Sequence, residues 1–186
     1  MEDEQTEHIG NIKVALQPDA IGIGIGMGQH PETQEALHGF LQNNRTPLVI
    51  DANCNRLHPR ELSRLIGEWS DDYDKIVRTK LFAKENDLVV VIKGAYSLII
   101  DGESVHVNST GTPALATAGS GDVLTGMITS LLAQGYRPLD AARVGVYLHG
   151  MTADLTRETI HPRSFIAGDI VEHIGNAYRK LEKTSE

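Results

Sequence analysis

One unit near the start of the chain constrains the fold most: two short apolar runs separated by a glycine-rich turn and a helical segment. Residues 20–24 are a small apolar run that suits a buried strand, and residues 24–28 place glycine at every second position. Residues 31–41 have helical spacing, and residues 47–51 read as a second buried strand that ends in an acid. A strand, glycine turn, helix and strand in this order predict a parallel sheet.

The rest of the chain continues the same pattern. Residues 87–93 hold a continuous apolar run typical of a central parallel strand, and residues 97–107 predict a hairpin around an Asp-Gly turn. We therefore expect a single α/β domain over residues 1–186, with a mostly parallel sheet and helices on both faces. Helices are predicted at residues 60–68, 72–85, 122–133 and 138–154, and residues 166–169 lead into a last amphipathic helix through Leu181. Residues 12–16 are predicted as a short strand or helix.

Charge and cysteine content narrow the class of partner. The formal net charge is −8, so no global basic field attracts nucleic acid, although helix N-terminal amides can still hold a nucleotide phosphate. Cys54 is the only cysteine, and no disulfide can form within the chain. The acidic start lacks the pattern of a signal peptide, and no apolar run approaches membrane-spanning length. We expect a cytoplasmic protein with neither a nucleic-acid nor a membrane partner.

The segment most informative about chemistry is Thr117-Ala118-Gly119-Ser120-Gly121-Asp122, directly before an apolar helix. Two glycines allow a tight turn in which successive amides and the positive end of the helix converge on phosphoryl oxygens. A carboxylate at Asp122 can accept the proton of a hydroxyl bound beside that anion hole. The alternative is that Asp122 only caps the helix, as Asp before an apolar helix often does.

Other candidate residues predict less. A lone helical histidine such as His149 is more often a packed or capping residue than a ligand. The remaining histidines show no metal-ligand spacing, so we expect no dedicated protein-only metal site. Mg²⁺ held mainly through nucleotide phosphates is the expected ion, because it keeps its waters and prefers phosphate with one or two carboxylates. The glycines of residues 24–28 lack the offset of a dinucleotide fingerprint.

Several segments of the chain together carry a resemblance to one known family. The main stretch runs from Val91 to Ala153 and comprises Lys93-Gly94-Ala95, residues 108–117, residues 119–126 and Tyr147-Leu148-His149-Gly150. It resembles the ADP/ATP-dependent NAD(P)H-hydrate dehydratases, a carbohydrate-kinase-like domain with the three-layer α/β/α ribokinase-like fold. Upstream, residues 20–28 are similar to the family's Gly-Pro-Gly-Leu-Gly turn and residues 47–52 to its strand ending in Asp-Ala-Asp. His58-Pro59-Arg60-Glu61 is similar to its His-Pro-Gly-Glu segment, with arginine in place of glycine.

The resemblance implies an enzyme that uses ADP or ATP, with Mg²⁺, to dehydrate hydrated NADH or NADPH (NADHX or NADPHX), a hydro-lyase reaction of nicotinamide nucleotide repair. It implies that Asp122 contacts the hydrate and acts as base, that Gly26 and His58 bind the nicotinamide side, and that the protein is a homo-oligomer such as a tetramer. The residues implied to line the nucleotide are Lys93, Gly94, Ala95, Tyr96, Ser97, Asn108, Thr110, Gly111, Thr117, Ala118, Gly119, Ser120 and Gly121.

The chain departs from the family in the spacing of its upstream segments. In the family a helix and another strand separate the segments similar to Asp51-Ala52 and His58, but here only residues 53–57 lie between them. Five residues reach at most about 3.5 Å each and cannot hold both elements. We therefore expect a domain that lacks an internal segment, and also lacks family elements that precede Met1.

Two other functions fit the same motifs. A small-molecule kinase of the same fold, acting on a vitamin precursor or a sugar, would use the same glycine loop and aspartate. A nucleotide-binding remnant without turnover would fit the missing segment, because a strand without its neighbour leaves backbone groups unpaired.

Overall fold

The computed structural model describes residues 9–23, 27, 30–50 and 59–184. All the described strands lie before residue 108, interspersed with three helices, and three further helices follow from residue 120. The strands are β1 (Ile21–Ile23), β2 (Leu48–Ile50), β3 (Val90–Ile92), β4 (Leu98–Ile100) and β5 (Val105–Val107). The helices are α1 (Pro31–Asn43), α2 (Pro59–Ile66), α3 (Asp72–Asn86), α4 (Ser120–Ala133), α5 (Pro138–Leu155) and α6 (Ala167–Thr184), with a short 3₁₀ turn at Pro113–Leu115.

Strands β1 and β2 pair in parallel, with Ile21 opposite Leu48 and Ile23 opposite Ile50. Helix α1 connects them and starts with Pro31 at its first turn, where the missing amide hydrogen costs nothing because that position has no helical acceptor. The predicted strand, helix, strand unit is confirmed, and with it the α/β class.

Strands β3, β4 and β5 form an antiparallel sheet in that order. The predicted hairpin is confirmed by the pairing of Leu98 with Val107 and of Ile100 with Val105. The prediction of a central parallel strand at residues 87–93 is wrong in its pairing, because β3 pairs antiparallel with β4 in the described part of the chain. A run of apolar residues indicates that a strand is buried, but it does not indicate whether the neighbouring strand is parallel or antiparallel.

Helices α4 and α5 enclose the main hydrophobic core against the strands. Helix α4 packs on β1, β2, α5 and α6, and β4 contacts both α3 and α5. Leu131, Ala141 and Val146 are almost fully buried, and Ile99 of β4 joins them from the sheet. Helix α6 closes the other side of α5, where Leu148 and Ala177 are completely buried.

Two sequence predictions of local structure need correction. Residues 12–16 form neither strand nor helix, and Leu16 remains 82% exposed, since this short run finds no apolar surface to cover it. Helix α4 begins at Ser120, two residues before its predicted start at Asp122. The other predicted helices agree with the structure to within two or three residues at each end. Across the described residues, no helix has the combined length and apolarity that crossing a bilayer requires.

Candidate functional site

The glycine-rich loop turns into α4 through a left-handed residue. Gly119 has φ 79° and ψ −11°, a conformation that a residue with a Cβ adopts only under strain. It is the N-cap of α4, and no side chain caps the helix there. The Ser120 amide donates to the Thr117 carbonyl at 3.4 Å. The next amides of the first turn have no acceptor inside the helix and can bind an anion at the positive end of the helix dipole.

Asp122 lies in the first turn of α4 with an exposed side chain. The structure overturns the reading of Asp122 as the cap, because Gly119 occupies that position. Asp122 makes no side-chain hydrogen bond to any described residue. Its carboxylate is available at the edge of the glycine loop, as a base acting on a bound hydroxyl requires.

A second loop, residues 108–111, is fastened to α5. The Thr110 hydroxyl donates to the carbonyl oxygen of Tyr147 at 2.8 Å, and the Gly111 amide donates to Oδ2 of Asp154 at 2.8 Å. Between these two contacts Gly150 lies directly against the Thr110 backbone. Inside the loop, Nδ2 of the buried Asn108 donates to the Thr110 carbonyl at 2.8 Å.

The glycine loop is fastened to the same helix through His149. Nε2 of His149 lies 3.2 Å from Oγ of Ser120 and 3.0 Å from the Ser120 carbonyl oxygen. Both residues are buried, with exposures of 7% and 5%. Burial lowers the pKa of His149, the Ser120 carbonyl opposes this shift, and the positive charge of Lys93 adds to it, so the ring is neutral near pH 7.

Residues 93–97 reach the same region from the sheet. Lys93 directly follows β3, and its positive charge contributes to lowering the pKa of His149, the residue that contacts Ser120. Residues 94–96 are exposed, and the Ser97 carbonyl accepts the Asn108 amide hydrogen at 2.8 Å, which extends the β4–β5 pairing into the second loop. Residues 108–111 and the glycine loop thus both contact α5, and residues 93–97 adjoin them through the hydrogen bond between Ser97 and Asn108.

The convergence is compact. The contacts with the two loops run from Tyr147 to Asp154, a stretch of about 10 Å along a helix axis. Of the predicted site residues, Gly26 and His58 lie outside the described residues. No group of three or more metal-ligating side chains occurs in the described ranges.

Sequence reasoning assigned no role to Asp154 and quoted Gly150 only as part of the segment from Tyr147 to Gly150. An isolated glycine inside a helix costs stability relative to alanine, so Gly150 was a usable signal of close packing. Asp154 gave no such signal, because an aspartate near the end of a helix is ordinary on a solvated face. The structural reading of His149 is confirmed as far as its packing goes.

The fold and this loop arrangement define a class, the ribokinase-like α/β proteins. Within that class, the solved structure of an ADP/ATP-dependent NAD(P)H-hydrate dehydratase from Bacillus subtilis, co-crystallised with ATP and Mg²⁺, superposes with a TM-score of 0.74. It is 26% identical and the match covers 92% of this chain and 68% of that one. Another Bacillus subtilis structure, described as a putative kinase, gives a TM-score of 0.73 at 27% identity.

Sequence comparison gives the family. A carbohydrate kinase family model described as NAD(P)H-hydrate dehydratase matches residues 58–175. A bifunctional NAD(P)H-hydrate repair enzyme of Moorella thermoacetica is 35% identical over 90% of this chain, and an ADP-dependent (S)-NAD(P)H-hydrate dehydratase of Neisseria meningitidis is 33% identical over 80% of it. This chain belongs to the NAD(P)H-hydrate dehydratase family.

The match covers only part of each relative. The chain spans 36% of the Moorella protein and 59% of the Neisseria protein. The alignment with the Moorella protein runs over 191 residues, more than the 186 of this chain, so that relative has residues inside the matched region that this chain lacks.

Proposed function

We propose that this chain catalyses the ADP- or ATP-dependent dehydration of hydrated NADH or NADPH. One observation carries the proposal. The family match at residues 58–175 takes in both Lys93 and the Gly119–Asp122 segment, and the structure fastens the loops around that segment to one stretch of α5.

The nucleotide would bind across the converging segments. Amides of residues 119–121 would hold phosphoryl oxygens at the start of α4, and Lys93 would add a positive charge beside them. Residues 94–97 and 108–111 would line the rest of the nucleotide, and residues 117–118 the approach to the glycines. No side chain caps the start of α4. An anion bound there would provide acceptors for amides of the first turn that have none inside the helix.

Asp122 would act on the hydrate. Its exposed carboxylate follows the loop amides by one position, so a hydroxyl bound at the loop lies within reach of both. Asp122 accepts the hydroxyl proton while the amides hold the negative charge that develops. The nucleotide would transfer a phosphoryl group to the hydroxyl oxygen and leave as ADP from ATP or as AMP from ADP. Loss of phosphate together with a proton from the neighbouring ring carbon would then restore the double bond. Gly26 and His58 would bind the nicotinamide side.

Mg²⁺ would bind mainly through the nucleotide phosphates. The described residues offer no carboxylate cluster, and an ion that retains its waters needs only one or two carboxylates in addition to phosphate. We further propose that the protein is cytoplasmic and that it is a homo-oligomer such as a tetramer. Light scattering on the purified protein tests the oligomeric state.

The decisive experiment follows the return of NADH absorbance when purified protein is incubated with NADH hydrate, Mg²⁺ and either ADP or ATP. Asp122→Asn keeps the shape of the side chain but cannot accept the proton, and we expect its kcat to fall by about 10²- to 10⁴-fold. Its affinity for ADP, measured by calorimetry, should stay close to that of the wild type. Equal turnover by the two proteins contradicts the role of Asp122.

Other outcomes separate the alternatives. Phosphorylation of a sugar or vitamin precursor without recovery of NADH would identify a small-molecule kinase. ADP binding without turnover on any substrate would identify a nucleotide-binding remnant. The missing residues bear on this last outcome, and we propose that they belong between Ala52 and His58, where the spacing is too short for the family's helix and strand.

A further inference from the structure

One buried polar contact beside the proposed site has no part in the chemistry described so far. His149 lies on α5 with its Nε2 within hydrogen-bonding distance of two atoms of Ser120, the first residue of α4. Burying an imidazole costs free energy unless its nitrogens are paired. A side chain that served only to fill space between α4 and α5 would not need this group.

The contact is directed at the backbone that shapes the loop. Ser120 lies between Gly119, which carries the left-handed turn, and Gly121. With hydrogen on Nε2, His149 donates to the Ser120 carbonyl at 3.0 Å; with hydrogen on Nδ1, Nε2 accepts the Ser120 hydroxyl at 3.2 Å. Either tautomer restrains the same residue.

Ser120 in turn fixes the groups on which the proposed reaction depends. The Val123 amide donates to the Gly119 carbonyl at 3.1 Å, so the first turn of α4 closes around Ser120, and Asp122 lies within that turn. A shift of Ser120 therefore moves the loop amides and the carboxylate together. Displacements of about 1 Å in such groups can cost about 100-fold in rate.

We propose that His149 is a positioning residue that, by holding Ser120, keeps the Gly119–Asp122 loop in the geometry that receives the phosphoryl group. The proposal rests on the proposed function. It assigns to His149 a role that acts through Ser120 and the loop.

Three variants test it. His149→Phe keeps a ring of similar size and removes every polar contact, and we expect kcat to fall by about 10- to 100-fold with little change in KM for the hydrate. His149→Gln retains an amide that can donate to or accept from Ser120, and should keep most of the wild-type kcat. Thr152→Val is the matched control: Thr152 is fully buried one turn further along α5, and its hydroxyl donates only within the helix, to the Leu148 carbonyl.

The outcomes decide in either direction. A loss of kcat in His149→Phe that Gln restores and Thr152→Val does not share supports positioning. Equal kcat in Phe and Gln, or an equal loss in Thr152→Val, shows that His149 only packs α5 on α4. If His149→Phe does not fold, His149→Asn replaces it, because its shorter amide does not reach Ser120; equal kcat in Asn and Gln overturns the proposal.

A second readout does not depend on turnover. Hydrogen exchange of the Val123 amide reports the closure of the first turn of α4 in the free protein. Faster exchange in His149→Phe than in His149→Gln and Thr152→Val supports positioning, and equal rates overturn it. A wild type without turnover would refute the proposed function alone, and the Val123 exchange would still decide the role of His149.

Discussion

Gly150 offers the sharpest test of how the nucleotide-lining loop is held. A Cβ added at Gly150 would lie 2.6 Å from the Thr110 carbonyl carbon and 2.7 Å from its oxygen. Carbon atoms in contact prefer about 3.5–4.0 Å, so the loop or the helix must retreat by about 1 Å. A retreat of that size breaks the 2.8 Å hydrogen bond from the Thr110 hydroxyl to the Tyr147 carbonyl.

The magnitude follows from a comparison with a second glycine. Gly150→Ala in α5 and Gly175→Ala in α6 both gain helix propensity, about 1 kcal/mol each. Gly175 is exposed, and an added Cβ there meets only the end of the Arg179 side chain at 3.8 Å, an ordinary contact. The difference between the two variants therefore isolates the clash, which forced overpacking puts at about 1–3 kcal/mol.

Urea unfolding followed by circular dichroism measures both free energies of unfolding, and calorimetry measures ADP affinity. We expect Gly175→Ala to equal or exceed the wild type in stability, and Gly150→Ala to fall below it with weaker ADP binding. Equal stabilities in the two variants would refute the close approach of α5 to Thr110. A loss of stability without any change in ADP affinity would support the close packing of α5 on Thr110. It would refute the proposal that this loop lines the nucleotide.

Two further predictions concern the same stretch of α5. Asp154→Ala removes the acceptor of the Gly111 amide and should cost about 1 kcal/mol of unfolding free energy, whereas Asp154→Asn keeps an oxygen there and should cost less; equal losses would contradict the hydrogen bond. The pKa of His149 is lowered in the folded protein, so below the ordinary value of 6.5 the unfolded chain binds more protons than the folded protein. The contribution of His149 to the free energy of unfolding is therefore full above pH 6.5. It declines as the pH falls from 6.5 towards the folded pKa. His149→Gln should therefore lose less stability than the wild type between pH 7 and 5, and parallel curves would show that the histidine is not buried as a neutral ring.

Local patterns account for what the sequence could predict about the fold. The Asp-Gly turn between two apolar runs predicted the β4–β5 hairpin, because a two-strand ribbon depends on residues close in sequence. The antiparallel neighbour of β3 was not predictable in the same way. Its direction depends on how the chain returns through residues 93–97, and the residues of β3 carry only the information that they are covered.

In the candidate site, too, local features were predictable from the sequence and contacts between distant residues were not. Gly119 was predictable from its place before an apolar helix, and its left-handed backbone agrees with the tight turn inferred there. The hydrogen bonds that hold both loops against α5 were not predictable, since they join residues 29 to 43 positions apart in the sequence. Three of the four contacts use a backbone atom on one side, and backbone groups are the same in nearly every residue type.

Anchoring through backbone atoms explains why one helix can hold two loops of different sequence. The Tyr147 carbonyl receives the Thr110 hydroxyl, and the Ser120 carbonyl lies against His149, so α5 needs only a few specific side chains in this stretch. Gly150, in the C-terminal half of α5, lets the Thr110 loop approach closely, and the buried Leu148 packs the same stretch of α5 into the core. Substitutions that loosen α5 in the core should therefore weaken nucleotide binding without touching the nucleotide, and those that leave α5 in place should not.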